Sequence, residues 1–99
     1  MSKKITFVVT FKGGAGEITF TDVDGLADDT TLDCDGSNPT DVQSFSANQS
    51  TGPQSVTVGG TAPDGGSITV EVKDGDKVLK SVTFNSGEFD AQVIDYDVA

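Results

Sequence analysis

Apolar and polar residues alternate along much of this chain, beginning close to the N-terminus. Within residues 4–11, large apolar side chains occupy every second position: Ile5, Phe7, Val9 and Phe11. Successive side chains of a β-strand point to opposite faces, so the pattern predicts a strand with one buried face. A similar pattern returns at residues 17–21 after the glycine-rich stretch 12–16, and the two stretches predict a β-hairpin.

The second half of the chain is the most regular part. Apolar-polar stretches at residues 54–58, 68–73, 77–84 and 89–98 are separated by Gly/Pro, Asp-Gly and Asn-Ser-Gly turn signals. Two of these stretches break their alternation. We expect a bulge or a sheet edge near Leu79, and another bulge where the apolar positions change parity between Val93 and Ile94.

The middle of the chain is polar. Residues 22–41 contain seven aspartates and predict a long acidic loop with a short strand near Thr30 to Leu32. Residues 42–46 predict a weak strand that carries Phe45, and residues 47–53 predict a second polar loop. No stretch combines a 3.6-residue apolar period with helix-capping residues, so no helix is expected.

These elements together predict one all-β domain over residues 1–99. Seven or eight short antiparallel strands separated by turns are typical of a β-sandwich. The inward positions predict its core, which should include Phe7, Val9, Phe20, Val56, Val58, Ile68, Val70, Val82, Phe84 and Val93.

The composition narrows the class of partner. Sixteen acidic residues face six lysines, with no arginine or histidine, and the net charge is −10. This charge repels nucleic-acid phosphates and anionic membranes, and the chain lacks the arginine that usually contacts guanine and phosphate. We therefore expect neither nucleic acid nor membrane as a partner, and expect attraction to cations or basic surfaces.

The side chains needed for most catalytic chemistry are missing. Without histidine there is no side chain that ordinarily titrates near neutral pH to act as a general base, and one cysteine without histidine does not make a zinc site. Cys34 is the only cysteine, so no disulfide can form within the chain, and the short apolar run at the start does not match a signal peptide. The sequence predicts a non-enzymatic protein.

The acidic loop is the one candidate metal site. Asp22, Asp24, Gly25 and Asp28 partly match the spacing of calcium-binding loops, in which closely spaced oxygen ligands surround a glycine turn. The first and twelfth positions of that motif would be Phe20 and Thr31, which are not ligands of the motif. A second grouping would join Asp28, Asp29, Asp33 and Asp35. Weak calcium binding and a solvated acidic loop both remain open, and the composition favours the solvated loop.

Two aromatic residues are candidates for ligand binding. Most phenylalanines fall on inward strand positions and are expected in the core. Phe45 and Tyr96 are less constrained by the pattern, so they are the residues that we assign to a small binding patch, for example for a sugar ring.

Three turns of the second half carry a resemblance to a known family. They are Gly60-Thr61-Ala62-Pro63, the Asp74-Gly75 hairpin, and Gly87-Glu88-Phe89 leading into the last strand. With the strands between them, residues 59–93 resemble the C-terminal part of bacterial immunoglobulin-like (Big-type) domains. The resemblance implies an immunoglobulin-like β-sandwich, and it implies a spacer or recognition module of the kind found on bacterial surfaces and phage particles.

Two functions follow from the resemblance and the composition. The first is a structural component of a phage virion, located on the capsid, tail or fibre, with a capsid or tail protein as partner and homo-oligomers within the assembly. The second is a calcium-dependent adhesion module or carbohydrate-binding module at a cell surface or in the extracellular medium. Apart from calcium, neither function requires a cofactor.

Overall fold

The computed structural model describes all residues, 1–99, and contains six β-strands and no helix. The strands in chain order are β1 (Ser2–Lys12), β2 (Ala15–Thr21), β3 (Thr30–Asp35), β4 (Thr40–Ser50), β5 (Gly52–Asp74) and β6 (Lys77–Val98). Every strand pair is antiparallel. The all-β fold predicted from the alternation is confirmed.

The long β5–β6 hairpin takes part in both layers of the sandwich. On the side of β5 opposite β6, residues 57–61 pair with β2 and residues 67–73 pair with β1. β3 extends the first layer beyond β2, and β4 extends the second layer beyond β1. The first layer therefore contains β3, β2 and the open end of the β5–β6 hairpin. The second layer contains β4, β1 and the end of the same hairpin at which its turn lies.

The number of strands is smaller than predicted because the hairpin bends instead of breaking. The pairing of Ala62 with Gly87 is followed by that of Ser67 with Asn85, so the Gly/Pro stretch 63–66 forms a corner on β5. Strands that pass from one layer to the other commonly bend in this way. Two pairs of predicted strands consequently join into β5 and β6.

Both predicted irregularities of β6 are present, but one is displaced. Lys80 pairs with Val72 and Val78 pairs with Lys73, which leaves Leu79 as the extra residue of a bulge, as predicted. The second bulge lies at residues 90–91, where Ala91 has a φ of 51°.

The earlier position of this bulge overturns one core prediction. Val93 pairs with Thr57 on the outer face and is 59% exposed, so its assignment to the core is wrong. The three alternate positions that follow are buried instead: Ile94, Tyr96 and Val98.

The core is one cluster between the two layers. Seven predicted members are buried, which confirms them: Phe7, Val9, Phe20, Val56, Val58, Ile68 and Val70. Val82 and Phe84 are only half-buried and pack against the cluster. At its centre the ring of Phe7 stacks on Phe45 with a centroid distance of 4.9 Å.

The polar middle of the chain is more ordered than predicted. β3 continues to Asp35 and buries Cys34, and β4 covers residues 40–50 where a strand was expected only at 42–46. The extension of β4 follows from its alternation, because Ala47 and Gln49 continue the inward series of Phe45. The predicted acidic loop is thereby reduced to residues 22–29 and a turn at 36–39.

Candidate functional site

Part of the acidic loop is a tight turn packed against β4, which we call the edge turn (residues 23–26). Val23 is buried, and the N–H of Leu26 donates to the carbonyl of Val23 at 3.1 Å. Gly25 has a φ of 90°, the left-handed conformation that the third residue of a type II turn requires. Its backbone lies against the carbonyl of Asn48, where a Cβ atom has no room. A side chain at this position would push the turn away from β4.

Asp24 fastens the edge turn to the end of β4. Its carboxylate Oδ2 accepts hydrogen bonds from the N–H of Ser50 at 2.9 Å and from Nε2 of Gln54 at 3.0 Å. Its backbone carbonyl accepts a third from Nε2 of Gln49 at 3.1 Å. The residue predicted as a calcium ligand therefore has a structural role within the chain.

A buried hydrogen bond connects this site to the last strand. Gln49 has no exposed surface, and its Oε1 accepts a hydrogen bond from the hydroxyl of Tyr96 at 2.6 Å. Tyr96, Gln49 and Asp24 thus link β6, β4 and the edge turn. The sequence analysis missed Gln49 by assigning residues 47–53 to a loop. It could have been identified from its position two residues after Ala47, because alternate residues of this strand face inward.

Burial raises the pKa of the Tyr96 hydroxyl to about 12, and the negative charge of Asp24 acts in the same direction. The native state holds the phenolic proton more tightly than the unfolded chain, whose tyrosine pKa is about 10. This contribution to stability is complete below about pH 10 and is lost as the pH rises through about 12.

Tyr96 is the only tyrosine, so the absorbance of tyrosinate reports on this residue alone. We expect a native titration midpoint near 12, and one near 10 in concentrated urea. The Tyr96→Phe variant should lack the part of the stability loss between pH 10 and 12 that belongs to tyrosine, about 2–3 kcal/mol at full titration. The two proteins differ only at residue 96, so the difference between their pH profiles reports on Tyr96. A native midpoint near 10 would contradict the burial of the hydroxyl.

The other predicted calcium ligands lie apart from this network. Asp22 and Asp28 are exposed, and Asp22 has a φ of 56° at the end of β2. No group of three or more acidic, histidine or cysteine side chains in the structure has an arrangement suited to a metal ion. In the second predicted grouping, the N–H of Ser37 donates to Asp35 and holds the pKa of that carboxyl below its usual value.

Calcium binding at Asp22, Asp24 and Asp28 stays a prediction that a melting experiment decides. A cation bound only by the native state raises the melting temperature. Because the Asp24 carboxylate is already bonded to Ser50 and Gln54, we expect millimolar calcium and magnesium to give equal shifts, through charge screening alone. A larger shift with calcium, abolished in Asp28→Asn, would establish the calcium site, since Mg²⁺ rarely accepts an all-protein set of ligands.

Of the two candidate ligand-binding aromatic residues, Tyr96 belongs to the core cluster and Phe45 packs against it. Tyr96 is only 5% exposed, and Phe45 is half-buried between Phe7 and Phe20. A sugar ring stacks on an accessible aromatic face. Tyr96 is buried and one face of Phe45 is covered by Phe7, so sugar binding by these two rings stays a prediction.

A shallow polar groove lies on the outer face of the first layer, across β2, β5 and β6. Its volume is about 320 Å³. Gly59 and Gly60 leave its floor without side chains, Thr19 and Thr57 contribute hydroxyl groups, and Glu17 and Asp90 contribute carboxylates. Such a groove can accept hydrogen bonds and attract a cation, for example a lysine side chain of another protein.

Charge is divided unevenly between the two layers. All six lysines lie in β1 or between residues 73 and 80, in the second layer. Eleven of the sixteen acidic residues lie in the first layer and its loops, where there is no lysine. One lysine forms an ion pair, Nζ of Lys3 with Oδ2 of Asp74 at 3.2 Å. The net negative charge is therefore a property of one side of the molecule.

The chain was also compared with known proteins. No family model, no curated protein and no solved structure matches it. The structure contains no helix long and apolar enough to cross a membrane.

Proposed function

We propose that this protein is a non-enzymatic structural and interaction module, and that it is a component of a phage virion, located on the capsid, tail or fibre. The observation that carries the interaction role is the uneven division of charge between the two layers of the all-β fold. Complementary charge orients two proteins as they meet and selects between partners. A protein with one strongly acidic side is suited to fixed docking on a basic protein surface.

The chemistry of the surface supports a protein partner. The acidic side repels nucleic-acid phosphates and anionic lipid headgroups. The groove beside Gly59 offers carboxylates and hydroxyls that can accept hydrogen bonds from lysine or arginine side chains. The virion location itself rests on the resemblance of residues 59–93 to bacterial immunoglobulin-like domains.

The test is the protein composition of the virions that are produced by cells encoding this chain. We expect mass spectrometry of purified virions to detect it in many copies, and electron microscopy to show a density of about 40 × 26 × 19 Å on the capsid, tail or fibre. The attachment should weaken as salt is added, because exposed charges are screened. Absence from all particles, combined with micromolar binding of the isolated protein to a glycan, would favour the adhesion or carbohydrate-binding function instead.

A pair of charge reversals tests which side docks. Asp95 and Glu71 lie in different layers, and each pairs with a serine on the partner strand: Asp95 with Ser55 in the first layer, and Glu71 with Ser81 in the second. Asp95→Lys and Glu71→Lys change the net charge equally. We expect Asp95→Lys to weaken attachment, to particles from which the native protein has been removed, more than Glu71→Lys does. Equal effects would show that net charge alone governs attachment and would contradict docking through the acidic side.

A further inference from the structure

The sandwich leaves the outer edges of β3, β4 and β6 without a strand partner, and these edges differ in protection. An open edge can pair with another strand, and proteins usually block it with charges, bulges, proline or short length. β6 carries two bulges, a corner and charges along its length. β3 has six residues, includes Asp33 and Asp35, and its Asp33 carbonyl accepts a hydrogen bond from Nε2 of Gln43 at 2.6 Å.

β4 has none of these protections over most of its length. It pairs with β1 over eleven residues without a register shift, and it contains no proline and no lysine. Its only charged residue is Asp41, near its start. β4 is therefore the long, regular edge at which the fold accepts another strand most easily.

The orientation of the β4 backbone follows from Ser50. In a regular antiparallel pair, alternate residues direct both backbone groups towards the partner strand or away from it. Ser50 directs both away from β1, because its N–H donates to Asp24 and its carbonyl accepts from Nε2 of Gln54. Val42, Ser44 and Ser46 lie an even number of residues from Ser50, so their backbone N–H and carbonyl groups also point away from β1.

The edge turn covers only one end of this edge. It satisfies Ser50 and lies against Asn48. No side chain and no strand bonds to the outward backbone groups of Val42, Ser44 and Ser46, and the side chain of Val42 is 59% exposed. The open part of the edge is residues 42–46.

We propose that residues 42–46 pair antiparallel with the same residues of a second copy of this chain, about a two-fold axis at Ser44. In this register Val42 lies opposite Ser46 of the second copy, and Ser44 lies opposite Ser44. Three outward-facing residues on each side give about six backbone hydrogen bonds. The second layers of the two copies then form one continuous sheet. The inference does not depend on a location in a virion.

The absence of charge along residues 42–46, together with their symmetric outward positions about Ser44, permits a second copy as the partner. Residues 42–46 carry no charge, so pairing places no like charges opposite each other. β4 lies in the lysine-bearing layer, and the acidic edge turn borders the contact only at its end, at Asn48 and Ser50. Self-pairing of β3 about a two-fold axis would instead bring aspartates together, and β6 is interrupted by its bulges and corner.

The test measures the solution mass of three proteins between about 10 µM and about 1 mM, the range in which a small interface associates. The wild type should pass from 10.2 kDa to twice that mass. Ser44 and Ser81 stand at opposite ends of one row across the outer face, through Val8 and Glu71, which makes them matched positions on different edges. Ser44→Lys should weaken dimerisation at least about tenfold, and Ser81→Lys should leave it nearly unchanged.

Salt provides a second readout. Two copies with a net charge of −10 each repel one another, so added salt should strengthen the dimer, the reverse of an interface held by ion pairs. Circular dichroism should show all three proteins equally folded. A wild type that stays monomeric at about 1 mM in high salt would overturn the proposal. A dimer that both lysine variants weaken equally, or that neither variant weakens, would also overturn the proposal.

Discussion

Replacing Phe7 with alanine is expected to lower the free energy of unfolding by about 3–5 kcal/mol, which is most of the stability of many domains of this size. Phe7 has no exposed surface, and its ring contacts three other aromatic rings, those of Phe20, Phe45 and Tyr96. Removing it takes away the buried apolar surface and leaves a cavity between β1 and its neighbours. Urea denaturation followed by circular dichroism measures the loss.

Phe84→Ala is the matched control for this effect. Phe84 is half-buried at the edge of the core, and its main aromatic contact is a stacked ring, that of Phe89, at 4.2 Å. Water can reach the space that the smaller side chain leaves, so we expect only the loss of a half-buried apolar side chain, about 1–2 kcal/mol. Equal destabilisation by the two substitutions would show that the core does not have its centre at Phe7.

Replacing Gln49 with leucine is expected to cost about 2–4 kcal/mol, although the two side chains are similar in size. Leucine can neither accept a hydrogen bond from the Tyr96 hydroxyl nor donate one to the carbonyl of Asp24. It therefore leaves these two polar groups without partners next to the core. Weaker attachment of the edge turn should also increase amide hydrogen exchange at Ser50, whose N–H is bonded to Asp24.

A double-mutant cycle separates the hydrogen bond from packing. If the cost of Gln49→Leu arises from the orphaned hydroxyl, adding Tyr96→Phe should restore part of the stability, because the unpaired group is then gone. The expected coupling is about 1–2 kcal/mol. Strictly additive losses would show that the two side chains act independently, in contradiction to the 2.6 Å contact.

The sequence predicted the elements of the fold where alternation and turn residues agree. For this reason the sequence correctly predicted β1, β2, seven of the ten residues assigned to the core, and the bulge at Leu79. The corner at residues 63–66 was not distinguishable from a turn, since glycine and proline are suited to both and only pairing with β6 decides between them. The position of the second bulge likewise depends on the register against β5.

The candidate site was harder to predict because its residues act through contacts distant in sequence. Asp24 has the local spacing of a calcium ligand, but its carboxylate is bonded to Ser50 and Gln54, more than twenty residues away. Gln49 lies in a stretch with the composition of a loop, and it is buried because Tyr96 and Asp24 bond both ends of its amide. The local composition of the sequence reveals neither the bonding of Asp24 nor the burial of Gln49.

The position of β1 between β4 and β5 has a consequence for the order of folding during synthesis. Phe7 pairs with Val72, so the edge of β1 that faces β5 stays unpaired until about 65 more residues have been made. At ribosomal rates of about 5–20 residues per second, β1 remains incompletely covered for about 3–13 s. Contacts this distant in sequence also slow folding itself, towards the millisecond-to-second range of β-sandwiches. During that interval β1 is the segment most open to chaperones and to misassembly with other nascent chains.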